Sequence, residues 1–153
     1  MDVSEFSNRL RSRLCPEMYQ HDVDGRVEPF TLLLRTGHWY SARYALAVLP
    51  WNAVVEPSTL LSVARRATRQ RILTVPFLLQ VGLYLIVVGP KAGWSPLASS
   101  AKADQTSLHA VIVQGVHFLD LRSGASVVNR SRWGPIQFGG TAAVSRAVEE
   151  VLD

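Results

Sequence analysis

The most apolar run of this 153-residue chain, VPFLLQVGLYLIVVGP at residues 75 to 90, sets the strongest constraint on its fold. It is shorter than the roughly 20 residues that a membrane-spanning helix needs, and it contains Gln80 and Gly82 and ends in Gly-Pro. A nearly continuous apolar run of this length is typical of a strand that is buried inside a sheet. We therefore predict a buried strand over residues 77 to 89.

Length and composition predict one domain with a single core. Hydrophobic residues make up 48% of the chain and charged residues 18%, a balance that argues against disorder and suggests that a partner covers part of the apolar surface. A homodimer is the simplest such partner. The single cysteine, Cys15, allows no disulfide within the chain, and the first residues lack the charged-then-apolar pattern of a secretory signal. We expect a cytoplasmic homodimer.

Three segments have the apolar spacing of amphipathic helices. Asp2 and Glu5 resemble a capping box and predict a helix that runs from the N-terminus to about Cys15. Ser58 predicts the cap of a second helix through the 60s, and GGTAAVSRAVEEVLD at residues 139 to 153 predicts the last helix. The apolar stripes are Val3, Phe6, Leu10 and Leu14; Leu60, Leu61, Ala64, Ala67 and Ile72; and Val144, Ala147, Val148, Val151 and Leu152.

The segment PFTLLLRTGHWYSARYALAVLP at residues 29 to 50 contains two strand-like runs around Thr36-Gly37. Their content of Leu, Tyr, Trp and Val predicts a β-hairpin. Neither face of the second run is polar throughout, so we predict a central strand covered on both sides. Aromatic side chains alternate with Arg43 there, as in a surface on which bases stack. Because a half-buried sheet favours the same residue types, we interpret the run first as a core strand.

The second half of the chain contains a long segment without periodicity, KAGWSPLASSAKADQTS at residues 91 to 107. A connection of this length predicts a flexible loop, and Trp94 within it is typical of an aromatic contact made on binding. The following residues, LHAVIVQGVHFLDLRSGASVVNRS, predict two or three short strands, with turns near Gln114-Gly115 and Ser123-Gly124.

The predicted order of elements is α-β-β-α-β-β-β-α, and no internal repeat divides the chain. An antiparallel sheet with helices packed on it is the natural result of this order. We predict a single α+β domain over residues 1 to 153, with a mainly antiparallel sheet of about five strands, three helices and the flexible loop at 91 to 107.

No motif of catalysis or cofactor binding is present: the chain has no phosphate-binding loop, nucleophile elbow or dinucleotide-binding turn. We expect no cofactor, and any catalytic residue is unknown. The four histidines lack the spacing of metal ligands, so we expect no metal site. His117 and Asp120 lie three apart on a predicted strand, hence on opposite faces, which favours a buried or paired histidine over a catalytic dyad. Gly139-Gly140 favours a simple turn over an anion site at the start of the last helix.

A helix, hairpin, helix, strand order is similar to that of nucleases of the restriction-enzyme type. Such sites need two acidic groups and a lysine on adjacent strands, to hold a metal ion and orient water against a phosphate. Glu56 lies near a predicted strand end, but Glu28 and Asp24 are the only nearby acids and no lysine lies two residues beyond it. A degenerate metal-dependent hydrolase or nuclease, using Glu56 with Glu28 or His38, is therefore an alternative. A structural dimer subunit is a second alternative.

A basic helix face is the strongest functional signal. The formal net charge is +4 at pH 7, and Arg65, Arg66 and Arg69 share one side of the second predicted helix. If Arg35, Arg43 or Arg71 approaches them, the cluster can meet phosphates or an acidic protein surface, although charge on a solvated helix face needs no ligand. We predict a small binding or regulatory module rather than an enzyme, whose partner besides a second copy is an acidic protein or nucleic acid. The candidate binding residues are Arg65, Arg66, Arg69, Arg43 and Trp94.

Overall fold

The computed structural model describes residues 1–15, 19, 21–22, 27–36, 43–53, 56–105, 108–130 and 141–153. These residues form four helices and one six-stranded sheet, in which the first strand has two residues and the others are longer. The predicted single α+β domain is confirmed. The helices are α1 (Val3–Leu14), α2 (Leu60–Arg71), α3 (Trp94–Ser100) and α4 (Thr141–Leu152). The strands are β1 (His21–Asp22), β2 (Leu32–Arg35), β3 (Tyr44–Pro50), β4 (Val81–Val88), β5 (Val111–Leu119) and β6 (Ser126–Arg130).

The sheet is mixed, with its strands arranged in chain order from β1 to β6. The central pairings β3–β4 and β4–β5 are parallel, and the outer three pairings are antiparallel. This corrects the expectation of a mainly antiparallel sheet. The physical reason is that α2 and α3 are crossover connections, which return the chain to the end of the sheet where the preceding strand began.

The fourth helix, α3, lies in the segment 91 to 107 for which we predicted a loop. A 3-10 turn over Lys91–Gly93 leads into it, and the helix then runs from Trp94 to Ser100. Seven residues are too few to show a helical period in the sequence. Pro96 is compatible with the helix because it lies in the first turn, where the missing N–H costs no hydrogen bond. The prediction of three helices is therefore wrong, because it does not include this short fourth helix.

Strands β3 and β4 are buried on both faces, so the domain has two cores in three layers. On one face, alternate side chains of the two strands pack with Leu60, Ala64 and Ala67 of α2 and Leu97 of α3. On the other face, the remaining side chains pack with α1 and α4. The prediction that the second strand of the hairpin is covered on both sides is confirmed. Both cores follow from the alternation of side chains along a strand, which sends every second residue to each layer.

One of the two N-caps predicted from the sequence is present in the structure and the other is not. Asp2 caps α1, since its carboxylate accepts the Glu5 backbone N–H at 2.7 Å, as predicted. Ser58 does not cap α2: a 3-10 turn over Pro57–Thr59 leads into the helix, and Thr59 occupies the cap position. The Thr59 hydroxyl donates to the Glu56 carbonyl at 2.7 Å and does not cap the helix. A helix whose apolar face is buried needs no side-chain cap to be stable.

The predicted strand at 77 to 89 begins later, at Val81. Before it, residues 75 to 79 form a tight turn closed by backbone hydrogen bonds between Val75 and Leu79 at 2.8 and 3.0 Å. Phe77 in this turn has a φ of 63°. Pro76 fixes the preceding φ and donates no hydrogen bond, which favours a turn over a continued strand.

The predicted turn at Gln114-Gly115 is a β-bulge within β5, and the strand continues through it. Leu83 pairs with Val113 but the next residue of β4, Tyr84, pairs with Gly115, so Gln114 is the extra residue. The bulge reverses the alternation of β5, and His117 therefore faces the layer of α4, opposite to Val113. A Cβ on Gly115 would lie 2.8 Å from the Tyr84 ring, which explains the glycine.

We expect Gly115→Ala to lower the free energy of unfolding by about 1 to 3 kcal/mol, because the new methyl group overlaps a ring that cannot move freely. Gly82→Ala is the matched control. Its Cβ would meet the Gln114 side-chain amide at 2.5 Å, and that flexible end can swing aside, so we expect less than about 1 kcal/mol. Urea unfolding of both variants measures the difference; equal losses would contradict the assigned fit between Gly115 and Tyr84.

Candidate anion-binding groove

Helix α2 presents two different faces. Leu60, Ala64, Ala67 and Thr68 are buried against the sheet, whereas Arg66, Arg69 and Gln70 are exposed. The apolar spacing that buries one face therefore forces the basic residues to the other. Basic residues in the last turn are also favourable, because the helix dipole makes its C-terminal end negative.

A groove of about 500 Å3 lies between the exposed side of α2 and the start of β5. From β5 and the residues before it, the exposed His109 and the more buried Ala110 and Val111 contribute to its walls. The full lining is Ser62, Arg65, Arg66, Arg69, Gln70, His109, Ala110 and Val111. The structure thus brings together the three arginines predicted from the sequence.

Arg65 differs from Arg66 and Arg69 because its guanidinium forms an ion pair within the protein. Its Nη2 lies 2.5 Å from Asp104 Oδ1, and its Nε donates to the Val111 carbonyl at 3.3 Å. The other Asp104 oxygen accepts the Val113 backbone N–H at 2.7 Å. The two side chains are only 20% and 12% exposed. Arg65 therefore connects α2 to β5 and is one of the residues that line the groove.

The charge around the groove is strongly one-sided. The residues that line the groove include three arginines and no carboxylate, and the nearest acid bonded to them is Asp104. Because Asp104 is paired with Arg65, it does not neutralise Arg66 or Arg69, and within the described part of the chain neither of these two forms an ion pair. The potential of the groove is therefore positive, and it favours an anionic ligand.

Arg43, the fourth predicted binding arginine, lies beside the groove and does not line it. Its Nη2 donates to the Leu73 carbonyl at 2.7 Å, while its Nη1 is buried and meets no hydrogen-bond partner within the part of the chain that the structure describes. Burial, and secondarily the charge of Arg35, lowers the pKa of the Arg43 guanidinium. Arg43 thus connects the start of β3 to the residues that follow α2.

Trp94 is a core residue in this structure. It is 6% exposed, its Nε1 donates to the Gly89 carbonyl at 3.1 Å, and its ring centroid lies 6.3 Å from that of Phe118. The first turn of α3 directs this side chain inward. It is therefore not available to the groove.

The acidic residues of the nuclease alternative lie apart from the groove. Glu56 is exposed just before the 3-10 turn at Pro57–Thr59, and Glu28 is exposed in the loop before β2. Asp24, His38 and Gly139-Gly140 lie outside the described residues. Among the residues that the structure does describe, no group of three or more His, Cys, Asp or Glu could hold a metal ion.

A second polar cluster lies inside the other layer, between the sheet and α4. Tyr84 Oη lies 3.1 Å from His117 Nδ1 and 2.8 Å from Ser145 Oγ. Arg130 Nη2 donates to the same Ser145 oxygen at 2.6 Å. His117, Tyr84 and Ser145 are each less than 5% exposed. This chain connects an exposed arginine to a buried imidazole.

The buried imidazole is held in its neutral form. His117 Nε2 is buried and has no hydrogen-bond partner among the described residues. Burial, assisted by the charge of Arg130, lowers the pKa of His117 to about 4. The predicted buried or paired histidine agrees with this placement. Asp120 is a half-buried residue directly after β5, and its carboxylate accepts the backbone N–H groups of Arg122 at 3.0 Å and Lys91 at 3.2 Å.

Sequence reasoning missed two groups of residues. Ser62 and Gln70 lie four residues on either side of the predicted Arg66, a spacing that identifies one helix face and would have extended the basic face to these polar neighbours. His109 and the Tyr84 cluster carry no local signal, because they depend on which strands become neighbours.

Comparison of the chain with protein-family models, curated proteins and solved structures finds no match in any of the three. Within the described ranges, none of the helices has the length and apolar character needed to traverse a membrane.

Replacing Asp104 by Ala should lower the free energy of unfolding by about 3 kcal/mol, because it leaves Arg65 partly buried without its counter-charge. Glu56→Ala, at an exposed carboxylate, should change stability by less than about 0.5 kcal/mol. Chemical denaturation of the two variants tests the assignment. A loss for Asp104→Ala no larger than that of the control would contradict a structural ion pair.

Stability should fall as the pH drops from about 6.5 towards 4. The pKa of His117 is about 4 in the folded protein and about 6.5 in an unfolded chain, so the unfolded state binds more protons in this window. From pH 6.5 to 5 we expect a loss of about 1.5 kcal/mol that His117→Gln removes and His109→Gln does not. Thermal unfolding across this pH range measures both; a pH slope unchanged in His117→Gln would contradict the buried neutral imidazole.

Proposed function

We propose that the protein is a binding module whose groove takes nucleic acid through its phosphates. One observation carries the proposal: Arg66 and Arg69 stand one helical turn apart on α2 and line, with His109, a groove of about 500 Å3. The groove lining contains no carboxylate, and Asp104 is paired with Arg65. Positive charge is thus gathered at a concave surface that offers it no internal counter-charge.

The donors in the groove suit phosphate chemistry. A guanidinium can give two parallel N–H bonds to one phosphate, and arginine is therefore common where phosphates are recognised. The Gln70 amide adds neutral donors. Contacts of this kind position a nucleic acid without reading its sequence, so we expect binding with little base preference.

An acidic protein is the competing partner, and the composition of the groove argues against it. Protein interfaces derive most of their affinity from buried apolar or aromatic anchors that fill pockets. Most of the residues that line the groove are polar or charged, and neither a Trp, a Tyr nor a Phe is among them. A charged concave surface of this kind matches a phosphate backbone better than a protein surface.

Arg66→Glu combined with Arg69→Glu should weaken binding to nucleic acid at least about tenfold and reduce the slope of log affinity against log salt by about 2, since two phosphate contacts are lost. Arg122→Glu with Arg146→Glu makes the same charge change at exposed positions away from α2 and should leave most of the affinity. Arg65 stays unchanged, because its removal would disturb the ion pair with Asp104. Fluorescence anisotropy with labelled single- and double-stranded oligonucleotides across a salt series measures all three proteins.

Equal losses in both double variants would mean that net charge, and not the groove, attracts the nucleic acid. If the unmodified protein does not bind at low salt, the nucleic-acid proposal fails. The remaining candidates are then an acidic protein partner, a structural subunit, and the metal-dependent hydrolase at Glu56. A metal-dependent thermal shift that Glu56→Gln abolishes would identify the last of these.

The cytoplasmic location and the homodimer stay predictions, supported by the single cysteine and by the apolar composition. The mass of the protein in solution, measured in the same buffers as the binding assay, tests the homodimer directly.

A further inference from the structure

Exposed apolar side chains are concentrated at one place on this protein. Leu73, Phe77, Leu78 and Leu108 are 72%, 69%, 82% and 66% exposed. We call these four residues the apolar tip. Among the described residues, only Met1 and Val127 are other large hydrophobic residues with comparable exposure, at 42% and 51%. Scattered exposed apolar residues need no explanation, but a group of four on adjacent segments does.

Hydrogen bonds place the parts of the apolar tip at the same edge of the sheet. Gln80, directly after the turn that carries Phe77 and Leu78, donates its side-chain N–H to the His109 carbonyl at 3.0 Å. Leu108 is the residue before His109. The apolar tip therefore lies where the parallel strands β4 and β5 begin.

The backbone holds the centre of the apolar tip outward at an energetic cost. Phe77 has a φ of 63°, a conformation that bulky residues rarely adopt and that glycine or asparagine adopts more easily. The Val75 and Leu79 backbone groups close the turn on either side of it. Strain of this kind persists where the surrounding structure enforces it, often at binding sites.

The apolar tip has a basic rim, which we define as Arg35, Arg43 and Arg71. Arg43 donates to the carbonyl of Leu73, and the charge of Arg35 acts on Arg43. Arg71 ends α2 two residues before Leu73, and its side chain is exposed. Among the described residues, none of these three arginines forms an ion pair, so the rim carries positive charge without a direct salt bridge.

The combination of an apolar tip and a basic rim limits which kind of partner can bind this surface. A second copy of the chain on a two-fold axis would bring the basic rim against itself, and like charges across an interface are unfavourable. The occupant must therefore be anionic and also accept protruding apolar side chains. A bilayer surface with anionic lipids offers both, since phosphates lie above an acyl region that takes up Phe and Leu.

We propose that the apolar tip and its basic rim dock this protein on the surface of a membrane that contains anionic lipids. Phe77 and Leu78 enter the boundary between headgroups and acyl chains, and Arg71 with Arg35 contacts the phosphates. Protruding side chains on a narrow turn suit a deformable lipid surface, whereas a protein partner would need a matching pocket. The docking site adjoins the groove at Leu108 and His109 but includes neither Arg66 nor Arg69, so it does not depend on the nucleic-acid proposal.

Co-sedimentation of the full chain with vesicles tests the proposal. We expect binding to vesicles of phosphatidylcholine with phosphatidylserine, weak binding to phosphatidylcholine alone, and weakening by salt. Phe77→Asn combined with Leu78→Ser should reduce partitioning at least about tenfold, because two apolar side chains leave the membrane. Asparagine tolerates the positive φ of residue 77, so this variant should fold normally.

Two controls separate the contributions. Val127→Ser removes a similarly exposed apolar side chain on β6 and should leave vesicle binding unchanged. Arg71→Glu should lower binding to anionic vesicles and reduce its salt dependence, whereas Arg122→Glu should have a smaller effect. The double variant at the apolar tip should keep its affinity for oligonucleotides, so a failure of one proposal does not imply failure of the other.

Three results would overturn the proposal. The first is that the unmodified protein does not sediment with anionic vesicles. The second is equal vesicle binding by the unmodified protein and by Phe77→Asn with Leu78→Ser. The third is a dimer in solution that this double variant converts to monomer, since a second copy would then cover the apolar tip.

Discussion

The burial of β4 on both faces is the constraint from which the architecture follows. All eight of its residues are buried, so each face of the sheet must be covered, and helices on both sides provide that cover. Neighbouring parallel strands require crossovers, which places α2 and α3 on one layer while α1 and α4 close the other. The exposed face of α2, with its groove, is therefore a consequence of covering β4.

The parts of the fold that the sequence predicted are those that depend on neighbouring residues. The capped first helix, the covered strand at Tyr44–Pro50 and the last helix follow from local spacing. The parallel pairing of β4 does not follow from local spacing. A single sequence does not show whether the strand after a helix pairs parallel or antiparallel with the strand before it. The helix at Trp94–Ser100 was missed since its seven residues complete barely two turns.

The candidate site divides in the same way. Spacing along one helix was enough to bring Arg66 and Arg69 to one face. It could not separate them from Arg65, whose partner Asp104 lies 39 residues further along the chain. The Tyr84, His117 and Ser145 cluster joins two strands and a helix over distances in sequence that no local pattern spans. Residues that act through a distant partner become visible only when the strand order is known.

Because of the bulge at Gln114, the number of residues in β5 decides which core each of its later side chains enters. On one side of it Val111 and Val113 face α2, and beyond it Val116 and Phe118 face the same layer. Removal of one residue there would shift the phase of every later position in the strand. Phe118 would turn towards α4, and His117 would enter the apolar layer under α2 and α3. A deletion at position 114 would therefore send the side chains of the second half of β5 to the wrong cores, while the rest of the sheet kept its two faces.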